Sequence, residues 1–151
     1  MSATKASSGA EGRLSQYSLR RRVNFYETDC AGIVHFSWFF RYLEEAEHAM
    51  WRAAGLSIAP AGEVSYPRVS ATFDYQAPLR FEDEFDVVVR VAAIGRSSMR
   101  YACTITRGTA QVATGTTTIV CVKAHDGGMK AVPFPPDVIG RFEVAASPAE
   151  P

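Results

Sequence analysis

A chain of 151 residues, 47% apolar and 21% charged, has the size and composition of one ordinary globular domain. Its sixteen basic residues balance its sixteen acidic ones, so the long-range field that draws a protein to nucleic acid or to an anionic membrane is missing. Cys30, Cys103 and Cys121 make an odd count with no apolar leader before them, which argues against a disulfide scaffold and for a reducing compartment, the cytoplasm by default.

Residues 1–16, MSATKASSGAEGRLSQ, are small and polar and read as a disordered leader. From Tyr17 to Tyr26, YSLRRRVNFY reads as a first strand, with its arginine run as a solvated edge. The next stretch, ETDCAGIVHFSWFF, packs a carboxylate, a thiol, a glycine and an imidazole just ahead of a run of aromatics. A core segment would not carry that chemistry, and a plain solvated loop would be less apolar. Ser37 is suited to cap a helix and Gly55 to end it in a left-handed conformation. Between them Phe39, Leu43, Ala46, Met50 and Ala53 recur at helical spacing, opposite Arg41, Glu45, His48 and Arg52. Phe40, Glu47 and Trp51 flank the apolar stripe and are expected to border an interface.

After Leu56 the period drops to two. Val64 to Tyr75 reads as a strand interrupted at Pro67. Phe85, Val87, Val89 and Val91 alternate along a second, and Met99, Tyr101, Cys103 and Ile105 along a third. QVATGTTTIVCVK reads as a long fourth strand, with Gly115 marking a bulge or a close backbone approach and HDGG ending it. A short helical segment, Val138 to Phe142, follows PFPPD. No run is long enough to cross a bilayer as a helix.

One strand, one long helix and about four strands joined by short turns define an α+β domain over residues 17–143, with a flexible tail at 144–151. A single helix cannot cover both faces of such a sheet, so a second copy of the chain is expected against the uncovered surface.

Several chemistries can be weighed in the opening loop. Cys30 with His35 lacks a third orienting residue, and Cys30, His35, His48 and Asp29 lack the paired spacing of a zinc site. No glycine-rich phosphate loop occurs. The loop-to-helix junction at His35–Trp38 is more informative. Unpaired amides at a helix start carry partial positive charge and can stabilise a developing oxyanion. An Asp a few residues upstream supplies a carboxylate to face them, which is a sufficient kit for acyl transfer.

YETDCAGIVHFSWFFRYLEEAE resembles the signature of the hotdog-fold acyl-CoA thioesterases, in particular the 4-hydroxybenzoyl-CoA thioesterase branch. The resemblance continues through FDYQAPLRFEDEFDVVVRV, GRSSMRYACTITR and QVATGTTTIVCV, over about residues 18–143. It implies a five-stranded antiparallel sheet wrapped around the long helix. It also implies Asp29 as the catalytic carboxylate, nucleophile or general base, and the backbone amide of Phe36 as the oxyanion donor. His35, Trp38, Phe39 and Tyr42 become candidate pocket residues. Arg96, Ser97 and Ser98, in a turn that a neighbouring subunit would present, become candidate contacts for coenzyme A phosphates.

The implied function is hydrolysis of an acyl- or aroyl-CoA thioester, with no cofactor and no metal, since coenzyme A is part of the substrate. The implied assembly is a homo-oligomer, at least a dimer, with tetramers common in the family. Neither nucleic acid nor membrane is an expected partner. The alternative from another class is a non-catalytic acyl-CoA or acyl-carrier binding module on the same fold. A hydratase reading finds only a partial echo in His35-Phe36-Ser37, and Glu47 is the reserve carboxylate should Asp29 not serve.

Overall fold

The computed structural model describes residues 2–8, 12–59 and 62–146. In chain order the elements are β1 (Ser2–Ser8), β2 (Leu14–Arg22), a single 3₁₀ turn (Phe25–Glu27), α1 (Trp38–Ala53), β3 (Val64–Ser65), β4 (Arg68–Tyr75), β5 (Glu84–Ile94), β6 (Ser98–Arg107), β7 (Ala110–Val120), β8 (Val122–His125), β9 (Gly128–Ala131) and α2 (Pro136–Ile139). The main sheet runs β1-β2-β5-β6-β7-β4, antiparallel at every pairing, and a small sheet runs β3-β8-β9.

The strand alternation translates directly into a core. Phe85, Val87, Val89 and Val91 on β5 are buried, as are Met99, Tyr101, Cys103 and Ile105 on β6. Each such side chain, removed from water, contributes on the order of 1.5–3 kcal/mol before entropy is counted. The other side of that core is α1, which presents Phe39, Leu43, Ala46 and Met50 and packs against β2, β4 and β5. Ala53, assigned to the same stripe by period, is exposed, because the helix ends there and Gly55 turns the chain away at φ +79°. Glu47 and Trp51, expected at an interface border, are instead fully buried. Trp51 donates its indole N–H to the Tyr101 hydroxyl at 2.9 Å, and Arg68 donates to Glu47 Oε1 at 2.7 Å, so the indole N–H and one carboxylate oxygen go inside with partners.

Several boundaries differ from the sequence expectation. Residues 1–16 were expected without structure, yet Ser2–Ser8 forms a strand on β2, and β2 starts at Leu14. Residues 1 and 9–11 lie outside the described residues. The long fourth strand breaks at Cys121, and HDGG is the turn of the β8–β9 hairpin, not a terminus. Pro67 does split its strand, into β3 and β4. Within the expected tail, the Ala145 amide donates to the Val91 carbonyl at 2.8 Å, at the point where a register shift disturbs β5–β6 pairing. Residues 147–151 lie outside the described residues. No helix among the described residues is long and apolar enough to cross a membrane.

Candidate active site

The loop between the 3₁₀ turn and α1 is folded by its own polar groups. Asp29 Oδ1 accepts from the Ala31 amide at 2.8 Å, the side-chain-to-backbone turn that Asp favours. Gly32 follows at φ +77°, a conformation that glycine adopts without a Cβ penalty, and its amide donates to the Asp29 carbonyl at 3.0 Å. The Asp29 amide donates to the Ile33 carbonyl at 2.8 Å, and Thr28 and Val34 form an isolated bridge. Asp29 thus sits at the tip of a small closed turn. Among the described residues its Oδ2 has no hydrogen-bond partner.

Beyond the turn the chain enters α1, and the fate of each amide there is decisive. His35 N–H donates to the Glu27 carbonyl at 2.9 Å, and Trp38 N–H to the His35 carbonyl at 3.0 Å. Ser37 N–H donates to His35 Nδ1 at 3.2 Å. Across His35–Trp38 only the Phe36 amide has no acceptor among the described residues. The Phe36 carbonyl is occupied, accepting from the Tyr75 hydroxyl at 2.9 Å, which ties this junction to the end of β4. Ser37 holds the helix-cap position, but its hydroxyl lies 2.8 Å from His35 Nδ1 and makes no cap bond. Because Nδ1 accepts from Ser37 N–H, the ring proton belongs on Nε2.

Asp29, Ile33, Val34, Phe36, Phe39 and Tyr75 line one cleft of about 500 Å³, completed by Gln76–Pro78. The residues of the expected pocket divide. Phe39 lines the cleft and meets Tyr75 edge-on at 5.0 Å. His35 stacks on Phe36 at 4.4 Å, beside the cleft and outside its lining. Trp38 packs between Tyr26 and Tyr42, away from it. Tyr42 is fully buried, with its hydroxyl donating to Glu27 at 3.0 Å, so it belongs to the core and not to a pocket wall. Arg96 and Ser97 join β5 to β6 at the end of β5 remote from Glu84, Ser98 opens β6, and none of the three lines the cleft of its own chain.

Two polar clusters escaped sequence reasoning. Arg21, read as part of a solvated run, is buried and bonds Glu27 at 2.7 Å and Glu45 at 2.6 Å. A signal was present: Tyr17, Leu19, Arg21 and Val23 alternate on the apolar face, so Arg21 had to point inward. Glu47 with Arg68 is the second. Burial pushes the Glu47 carboxyl above its ordinary range, and the Arg68 guanidinium offsets part of that. Cys30 is exposed while Cys103 and Cys121 are buried, and burial pushes the Cys103 thiol up to about 12, which leaves it inert. No group of three His, Cys, Asp or Glu among the described residues is placed to hold a metal ion.

A helix wrapped by an antiparallel sheet, with a carboxylate turn leading into the helix start, defines the hotdog class. Residues 23–142 match the model of the thioesterase-like superfamily, and the chain belongs to that family of thioester hydrolases. A 1,4-dihydroxy-2-naphthoyl-CoA hydrolase of Synechococcus elongatus is 28% identical over 116 residues, 74% of this chain and 85% of the relative. The crystal structure of a hypothetical protein from Aquifex aeolicus superposes with a TM-score of 0.77 at 31% identity, covering 83% of this chain and 98% of that one. A 4-hydroxybenzoyl-CoA thioesterase bound to 4-hydroxybenzoyl-CoA shares the fold, with a TM-score of 0.75 at 18% identity over 85% of this chain and 99% of that one.

Proposed function

We propose that the protein hydrolyses a coenzyme A thioester in the Asp29–Phe36 cleft. The observation that supports this most is the Phe36 amide, left without an acceptor in the same cleft as the Asp29 carboxylate. A thioester carbonyl oxygen seated on that amide gains charge as its carbon becomes tetrahedral. One such donor is worth ~10²–10³ in rate, because the dipole is oriented before the reaction starts. Asp29 then acts in one of two ways. It attacks the carbonyl carbon, expels the coenzyme A thiolate and forms a mixed anhydride that water opens. Or it takes a proton from a water that attacks in its place, a contribution of ~10²–10⁴. Both routes release the carboxylic acid and free coenzyme A, and a thioester is activated enough to need no metal.

The walls favour an aromatic acyl group. Phe36, Phe39 and Tyr75 offer ring faces and edges, Ile33, Val34 and Pro78 add apolar surface, and Gln76 is a polar contact for a ring substituent. The tail of coenzyme A would lie across a second copy of the chain, with Arg96, Ser97 and Ser98 of that copy as phosphate contacts. β4 supports such an assembly: it ends the main sheet, its outer edge is unpaired among the described residues, and it exposes Val69 and Tyr75.

The test is thiol release across a panel of short, long and aromatic CoA esters. Turnover of at least one ester, with aromatic acyl groups giving the highest kcat/KM, is expected. Binding of these esters with no thiol released would replace hydrolysis with the binding-module alternative.

A further inference from the structure

The two reacting groups of the proposed site lie on separate segments of chain, and something must hold them in register. Asp29 lies on the segment entering the loop, Phe36 on the segment leaving it. Glu27 is one residue that bonds to both sides of the loop between them. Its carbonyl accepts the His35 amide at 2.9 Å, fixing the residue just before Phe36. Its side chain is fully buried, and Oε1 collects donors from separate elements: Arg21 of β2 at 2.7 Å, the Asn24 amide at the 3₁₀ turn at 2.8 Å, and Tyr42 of α1 at 3.0 Å. Arg21 closes the ring by binding Glu45, one turn further along α1, and stacks over the Tyr42 face at 4.6 Å.

We infer that Glu27, held by Arg21 and Tyr42, is a positioning residue that sets the separation between the Asp29 carboxylate and the Phe36 amide. This rests on the function proposed above. A buried charge needs an opposite charge and hydrogen bonds to be tolerated at all, so a purely structural role is the alternative to defeat. The geometry argues for more than that. The bonds of Glu27 join β2, the 3₁₀ turn and α1, the elements that flank the loop carrying Asp29 and Phe36. Loosening the bridge leaves the cleft lining chemically unchanged, so substrate binding should persist while the reacting atoms fall out of line. A misplacement of about 1 Å can cost ~10² in rate.

The experiment compares Tyr42→Phe, Glu27→Gln and Asp29→Asn with the parent protein, with kcat and KM measured per folded molecule on one CoA ester that the parent hydrolyses. Tyr42→Phe removes one donor and keeps the buried ion pair, so it decides the matter even if Glu27→Gln fails to fold. The inference expects kcat about 10-fold or more lower in Tyr42→Phe, and lower still in a folded Glu27→Gln, with KM within about two-fold of the parent. Parent-like kcat in folded Tyr42→Phe, alongside an inactive Asp29→Asn, would overturn the positioning role and leave the function standing. Retained turnover in Asp29→Asn would instead remove the function on which it rests.

Discussion

Glu27 carries its charge out of reach of water, and its ionisation records how that is tolerated. Burial alone would raise its pKa. Arg21 overcomes this with hydrogen bonds and charge, and the Asn24 amide and Tyr42 hydroxyl add to it, so the carboxyl is held below its ordinary value of 4.5. Arg21 and Tyr42 are the titratable groups that bond to it, and Arg21 is shared with Glu45. A folded-state pKa below the unfolded one means that the unfolded chain takes up the proton first as pH falls. The stability from Glu27 is therefore present above 4.5 and is lost as pH descends through the lower folded value. Urea melts from about pH 6 to about pH 3 should show stability falling in that lower range, and a folded Glu27→Gln should show a flatter profile there. Equal slopes in the two proteins would contradict the assignment. Arg21 was legible, given the alternation of Tyr17, Leu19 and Val23 around it. Glu27 was not, because a 3₁₀ turn has no period from which to read an inward direction.

At the scale of elements, pattern succeeded where one face of an element meets the core. The alternation in β5 and β6 and the stripe on α1 are consequences of burial, so they are written in the sequence. Gly115 shows a reading resolved by contact. Pairing continues unbroken through Phe73 and Cys103, so no bulge occurs there, but a Cβ would stand 2.4 Å from the Thr72 carbonyl oxygen. The β8–β9 hairpin was misread: almost wholly exposed, it is held by backbone pairing, which polar residues satisfy as well as apolar ones, and no alternation announces it. β4 is the element with most left to do. Val69 is 62% exposed on an edge strand whose interior contains no lysine or proline to discourage pairing. Light scattering should give a mass at least twice that of the 16.5 kDa chain, and Val69→Lys should shift it toward the monomer. A parent protein that is monomeric at assay concentration would contradict a shared coenzyme A site.

In the whole molecule, α1 is tied down at both of its ends. Phe142 packs on Trp51 at 5.3 Å, and Arg141 donates to the Ala54 carbonyl at 2.6 Å, closing the far end of α1. The near end is tied by Tyr75 to β4 and by Tyr42, through Glu27, to β2. Asp29 and Phe36 were legible as a pair because loop chemistry and a helix start lie close together in the chain. The other walls of the cleft, Tyr75 and Gln76–Pro78, come from about forty residues away and only folding brings them in. The central claim is that one carboxylate acts opposite one free amide. Its most direct test is the rate of coenzyme A release by Asp29→Asn on the best ester of the parent protein. A folded variant with kcat lower by ~10² or more is expected. A folded Asp29→Asn that turns over at the parental rate would contradict it.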